Sequence, residues 1–352
     1  MAPGGYLGVP RAFMSTSPGA DAAIDGMSAG ARSAAGTDSG SSVRWVLEYA
    51  AAGNWGKYDS LEAWWARFVV VRKLWSNPVD QALVGGVVSD RLAYAFAAGY
   101  QAAVRALVPS APGDRIVSFS VTEEEGAHPR AVRTTLREVP GQTGMWRLTG
   151  RKRWATLSST GGLAFVVAST GVDGDGRNRL RLVEVPLDSR GVTLRPMPPT
   201  SFTPEIGHAE IGLDDVAVPS TAILPGDGYA DYVKPFRTVE DTHVAAAVLG
   251  HLLGVAIRYR WPAAVREDLT FLCATARALA LWDPKGVDTH LGLAGLFRGL
   301  RGMIDGAESL WPLVDDAETR ARWTRDVALL QVASNARGRR TEAAWKSLGI
   351  YP

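Results

Sequence analysis

The stretch Pro109-Ser-Ala-Pro-Gly-Asp-Arg-Ile-Val-Ser-Phe-Ser-Val-Thr122 is where the chain changes its hydrophobic period. Two prolines and a glycine within five residues stop helical structure, because proline has no amide donor and its ring crowds the preceding turn. Before this point Leu61, Trp64, Trp65, Phe68 and Val69 recur at spacings of three and four. That spacing predicts a helix with one apolar face over Ser60 to Trp75, capped by Asp59 or Ser60. Asp80 to Leu107 is rich in Ala with scattered charge, and reads as a buried helix pair or one long core helix. After the break the period is two. Ile116 to Val121, Trp146 to Thr149, Leu163 to Ala168, Leu180 to Val185, Val192 to Arg195 and Ala209 to Leu213 read as strands. Short strands at this spacing, parted by Gly, Pro and Asp, predict a β-barrel or sandwich. From Pro235 helical spacing returns in Phe236 to Arg258, Ala263 to Leu281, Leu291 to Trp311 and Glu318 to Leu348, four helices of bundle length. The expected class is α+β, with an N-terminal helical domain over 43–113, a middle β-domain over 114–230 and a C-terminal four-helix bundle over 231–352. Residues 1–42, mostly Ser, Gly, Ala and Asp from Met14 onward, are expected to form a flexible tail.

Charge and cysteine content narrow the function classes. A net charge of +2 argues against nucleic-acid binding driven by bulk electrostatics. A single cysteine, Cys273, excludes an intrachain disulfide framework and a cysteine-ligated metal cluster. The apolar run Val244 to Leu253 contains His251 and falls short of the ~20 residues that a membrane span requires. A cytoplasmic globular protein is expected. The five histidines show no zinc-type spacing with carboxylates, and no Gly-x-Gly-x-x-Gly or phosphate-binding loop is present.

Three stretches carry a family resemblance. Val121-Thr-Glu-Glu-Glu-Gly-Ala-His128, Gly150-Arg-Lys-Arg-Trp-Ala-Thr156, and Leu213-Asp-Asp-Val-Ala-Val-Pro219 with Ile223-Leu-Pro-Gly226 occur in order within the α, β, α arrangement. They resemble, respectively, the Thr-Glu-Pro-x-Ala-Gly-Ser segment, the Gly-x-Lys-x-Trp-Ile-Thr segment and the strand-to-bundle turn of the acyl-CoA dehydrogenase family. The likeness runs over roughly residues 60 to 260. It implies FAD as cofactor and an acyl thioester as substrate, dehydrogenated between its α and β carbons. It also implies that Phe119, Val121, Thr122, His128, Trp154 and Thr156 bind the cofactor.

The chemistry of those residues is consistent with that role. A flavin ring needs an apolar or aromatic surface on one face and a few hydrogen-bond partners at its polar edge. Trp154 and Thr156, two apart on a strand, project from one face. The competing reading is a sheet face that carries Trp and Thr because both favour strands. His128, followed by Pro129, stands where the family usually has Ser. It is either a phosphate donor or a loop histidine without a ligand.

The resemblance also points to the base. Most members place a catalytic glutamate late in the bundle, and no such motif follows Leu291. A minority, the isovaleryl- and long-chain-type enzymes, place it ten residues before the glycine of a Leu-Gly pair. Glu240 occupies that position in Val239-Glu-Asp-Thr-His-Val-Ala-Ala-Ala-Val-Leu-Gly250. The alternative is structural: Thr238 and Asp241 stand three apart like a capping box, so Glu240 would merely favour a helix N-terminus. Asp241 replaces the family's usual arginine, and His243 is one turn from Glu240.

The Arg-x-x-Phe-Gly and Gln-x-x-Gly-Gly stretches that hold the adenine half of FAD are not found after Arg260, and Arg266, Arg298 and Arg301 lie in other contexts. The implied partners are an electron-transfer flavoprotein or similar acceptor, and either a second copy or a second acyl-CoA dehydrogenase-like subunit. The other functions left open are different chemistry on the same fold, such as flavin monooxygenation or a non-redox step, and a non-catalytic paralogue.

Overall fold

The structure is a computed structural model that describes residues 41–350. Four helices open it: α1 (Ser41–Ala51), α2 (Leu61–Arg72), α3 (Pro78–Val87) and α4 (Leu92–Leu107). Of the two expected caps of α2, Ser60 serves, its Oγ accepting from the Ala63 amide at 3.2 Å. The Ala-rich stretch resolves into the pair α3 and α4. Asn77 caps α3, and Pro78 occupies the first position, where no amide donor is needed. The expected tail lies outside the described residues up to 40. Its last two residues belong to α1, where the buried Ser42 hydroxyl donates to Asp80 at 2.5 Å.

The middle of the chain forms one curled seven-stranded mixed sheet: β1 (Val117–Ser120), β2 (Thr135–Glu138), β3 (Met145–Thr156), β4 (Leu163–Val172), β5 (Asn178–Pro186), β6 (Val192–Pro196) and β7 (His208–Pro219). Strand β4 pairs antiparallel with β5, while β1 and then β2 run parallel to it, and β3, β7 and β6 continue antiparallel from β2. Curling creates two apolar faces. Leu136, Leu148, Val166, Val183, Ile211 and Val216 fill the inside of the curl. Val117, Phe119, Phe165, Val167 and Leu182 face the helices and join their core. All four residues of β1 are therefore buried, which would orphan the strand's free edge. Helix α4 supplies the partners. The Gln101 side chain donates to the Val117 carbonyl at 2.7 Å and accepts from the Val117 amide at 3.0 Å. The Tyr100 hydroxyl accepts from the Phe119 amide at 2.8 Å.

The C-terminal part comprises α5 (Lys234–Arg258), α6 (Ala263–Leu279), α7 (Val287–Ala307), α8 (Ala317–Asp326) and α9 (Ser334–Ser347). Helix α5 is the central post, crossing α3 so closely that a Cβ on Gly86 would lie 1.9 Å from the Ala247 carbonyl oxygen. The fourth bundle helix expected over Glu318 to Leu348 is interrupted by a 3₁₀ turn at Val327–Gln331. Asp326, fully buried, accepts from the Thr203 amide at 2.7 Å and from Arg325, so tertiary bonds hold the end of α8 where helical periodicity alone would continue. The expected capping box is also absent. A π-helical turn, Gly228–Val233, leads into α5 and is itself capped by Asp227. Thr238 and Glu240 thus lie in the second turn of α5, away from any exposed amide.

Candidate functional site

Strand β3 carries a bulge at its most informative point. Lys152 pairs with Ile211 and Ala155 with Ala209, so Arg153 and Trp154 stand opposite the single residue Glu210. Trp154 takes the left-handed backbone conformation, φ 56°, that this irregularity requires. The consequence is a change of facing: Lys152 and Ala155 both point inward, and Trp154 is left 54% exposed, with Thr156 half-buried beyond it. Regular alternation would have put Lys152 on the same face as Trp154. Thr122 comes alongside, because its carbonyl accepts from the Arg153 amide at 2.9 Å. Thr122, Trp154 and Thr156 are thus brought near one another along β3, each at least partly exposed, in a stretch we term the shelf.

Beneath the shelf lies an ion pair that the strand pattern did not single out. Lys152 is fully buried and donates to Glu123 at 2.6 Å and to the Val121 carbonyl at 3.2 Å. Glu123 also accepts from the amides of Arg133 and Thr134 at 2.7 and 3.0 Å. Burial alone would raise the Glu123 pKa, but Lys152 and these amides together hold it below the usual carboxylate range. Burial depresses the Lys152 pKa to about 8, with Glu123 opposing. Opposite charges in the two family-like stretches, Val121 to His128 and Gly150 to Thr156, were the available signal. His128 sits in a loop, a position compatible with either of its two readings. It is exposed, and its Nδ1 accepts from the Arg130 amide at 3.2 Å to cap the short turn Pro129–Ala131.

From the shelf an aromatic seam leads to Glu240. Phe119, three residues before Thr122, lies 4.3 Å centroid to centroid from Phe236 of α5. The Tyr100 ring meets Phe236 edge-on at 6.0 Å. Glu240 follows Phe236 by one helical turn, on the same side of α5. Its negative charge contributes to keeping the Tyr100 hydroxyl protonated, after burial itself. Val121 packs against this core, half-buried.

Glu240 opens into a 440 Å³ cavity lined by Lys234, Arg237, Asp241, Lys285, His290 and Arg340, among others. Burial, then the neighbouring Asp241 carboxylate, raise its pKa to about 7, while Arg237 and Arg337 pull the other way. Asp241 is occupied: Arg337 and Arg340 of α9 reach it at 3.1 and 2.5 Å. No spacing within α5 announces these partners, since they lie about 100 residues further on. His243 does not touch Glu240 through a hydrogen bond. Its Nδ1 meets the Val239 carbonyl at 2.7 Å, and burial lowers its pKa to about 4. Arg298 and Arg301 are exposed on α7, and Arg266 is half-buried on α6. Among the described residues no group of three or more His, Cys, Asp or Glu could hold a metal ion, and no helix is long and apolar enough to cross a membrane.

Residues 118–216, the curled sheet, match the family described as acyl-CoA dehydrogenase, middle domain. A 155-residue stretch, 43% of this chain, is 30% identical to the probable acyl-CoA dehydrogenase YngJ of Bacillus subtilis (strain 168), covering 38% of that protein's length. The fold is similar to butyryl-CoA dehydrogenase from Megasphaera elsdenii at a TM-score of 0.55, over 76% of this chain and 80% of that one, with 16% identity. It is also similar to FMN-bound TdsC from Paenibacillus sp. A11-2 at a TM-score of 0.62, over 89% and 97% of the two chains, with 14% identity. Residues 118–216 are thus an acyl-CoA dehydrogenase middle domain, seated between helical parts in a chain that spans 38% of the length of the curated relative it matches and shares the fold of butyryl-CoA dehydrogenase.

Proposed function

We propose that the chain is an FAD-dependent oxidoreductase that dehydrogenates an acyl thioester between its α and β carbons, with Glu240 as base. The observation that supports this most is the Phe119–Phe236 contact at 4.3 Å, which sets β1, the strand that runs on to Thr122, against the helix turn that precedes Glu240. The shelf suits a flavin. It offers an exposed indole beside two half-buried threonine residues, and a flat ring with a polar edge needs groups of those kinds. Trp154 would carry the ring face and the two threonines its polar edge. When bound, the flavin supplies the acceptor for the hydride leaving the β carbon.

The chain's own residues do the rest. Glu240 takes the α proton, and its raised pKa makes it a stronger base than an exposed carboxylate at neutral pH. Tyr100, Phe119 and Phe236 keep water from the reacting carbons. Arg337 and Arg340 hold Asp241, so its charge does not drive Glu240 fully protonated. The electrons leave to an electron-transfer flavoprotein or similar acceptor, in the cytoplasm. A second copy or a second acyl-CoA dehydrogenase-like subunit covers the bundle and supplies the adenine contacts. The exposed Phe271 (68%), Leu281 (73%) and Trp282 (45%) support that association.

Anaerobic mixing of the FAD-loaded chain with short acyl thioesters tests the reading. Loss of the visible flavin absorbance is expected in the wild type and not in Glu240→Gln, which keeps its bound flavin. Bound flavin that no acyl thioester reduces would move the assignment to other chemistry on this fold.

A further inference from the structure

The cavity beside Glu240 carries more positive charge than a plain acyl chain requires. Four cations, Lys234, Arg237, Lys285 and Arg340, line it with two carboxylates, Glu240 and Asp241. Arg340 is committed to Asp241, together with Arg337. Lys285 has only a distant carboxylate, Asp231, at 3.9 Å. Lys234 and Arg237, both exposed, line the same cavity without an ion pair among the described contacts, and Arg237 otherwise acts only on the charge of Glu240. They are spaced three apart on α5, with Glu240 three further on, so all three face one side of the helix. An alkyl chain placed here would strip water from these cations and return nothing for it.

Anions of two origins have to be distinguished: a phosphate of the thioester carrier, or a charge on the acyl group itself. Size decides between them. A volume of 440 Å³ is that of a sphere roughly 9 Å across, the scale of a small-ligand pocket. Residues three apart on a helix hold their side chains on the order of 5–6 Å from one another. An extended pantetheine arm, comparable with four or five residues of extended chain, places its phosphate on the order of 15 Å from the thioester. The phosphate is therefore too far from the carbon that Glu240 attacks to reach the cations of this cavity. A carboxylate at the far end of a short acyl chain, a few bonds of about 1.5 Å away, is not.

We propose that Arg237, with Lys234 and Lys285, binds a second carboxylate carried on the acyl chain, so that the preferred substrate is the thioester of a short dicarboxylic acid, of about four to six carbons. This rests on Glu240 being the base of the proposed dehydrogenation. Arg237 is a specificity-determining residue: it fixes the distal end of the chain, and thereby the α carbon, against Glu240.

Binding of N-acetylcysteamine thioesters, which carry no phosphate, tests the proposal on the full chain by calorimetry, with no need for turnover. The thioesters of glutarate and valerate, equal in carbon number, are compared in the wild type, Arg237→Leu and Arg237→Lys. The expected result is a preference of at least tenfold for the glutaryl ester. That preference collapses in Arg237→Leu and returns in part in Arg237→Lys. Equal affinity for the two esters, or an equal loss of both in Arg237→Leu, overturns it. So does binding that requires the coenzyme A thioester whichever acyl group is attached, because the anion is then the carrier's phosphate. Flavin reduction by butyryl thioesters without any glutaryl preference would sink this inference and leave the dehydrogenase reading standing. Glutaryl preference without flavin reduction would do the reverse.

Discussion

Glu240 is set apart by its surroundings rather than by its neighbours in sequence. A carboxyl group with a pKa near 7 in the fold and 4.5 when unfolded takes up a proton on folding between those values. Two consequences follow, with opposite signs. On the proposed dehydrogenation, the rate of α-proton removal is expected to rise with pH along an acid limb centred near 7, and Glu240→Gln to lower it by about 10²–10⁴-fold. Stability moves the other way: it falls as pH rises from 4.5 to 7, because the folded state resists the charge. Glu240→Gln is therefore expected to melt higher than the wild type above pH 7 and to lose that advantage below 4.5, as scanning calorimetry across the range would show. The Lys152–Glu123 pair provides a second test. Lys152→Met leaves a buried carboxylate with no cation and is expected to cost about 3–5 kcal/mol in denaturant unfolding. A loss under 1 kcal/mol would mean that the Arg133 and Thr134 amides hold Glu123 on their own.

Strand β1 makes the case for treating elements through their edges. Its four residues are buried on both faces, and one edge depends on the Gln101 and Tyr100 side chains. Gln101→Leu orphans the amide and carbonyl of Val117 and should cost about 1–3 kcal/mol, with faster hydrogen exchange along Val117 to Ser120. The strand was legible in advance because its residues alternate and a Pro-Gly break precedes it; over Asp80 to Leu107 the helix was legible, but not whether it was a pair or one long helix. The bulge at Arg153 and Trp154 was not. Nothing in Gly150-Arg-Lys-Arg-Trp-Ala-Thr156 states that the strand slips by one residue, and a two-residue period puts Lys152 on the shelf. The family resemblance singled out Thr122, Trp154 and Thr156, and the conformation that exposes the indole is visible only in the fold. His128 caps a short turn through its Nδ1, a use that the family pattern does not announce. The interruption between α8 and α9 was invisible because Asp326 is held by a residue 123 positions earlier.

The molecule is held across its parts by charge as well as by apolar packing. Asp90 and Arg91 from the helical part, Glu205 from the loop before β7, and Arg322, Arg325 and Asp326 from α8 form one connected cluster. Its three arginines and three acids balance, so removing one member strands others. Burial would raise the Glu205 pKa, but Arg325 and Arg91 hold it below the ordinary value. The stability it contributes is present above the unfolded value of 4.5 and is lost as pH falls through the lower folded one. Glu205→Gln is expected to lower the melting temperature at pH 7 and to have little effect below pH 3. An equal loss at both pH values would show that the side chain acts through packing.

The seam, the shelf and the base make one arrangement only if a flavin lies on Trp154. Titration of FAD into the full chain, followed by the shift of the visible flavin spectrum, measures that directly in the wild type and in Trp154→Ala. Saturable binding is expected in the wild type, weakened by about two- to tenfold in Trp154→Ala, consistent with the loss of a stacking partner worth about 0.5–1.5 kcal/mol. Saturable binding that is unchanged in Trp154→Ala would contradict the placement, and no saturable binding by the wild type would contradict the enzyme itself.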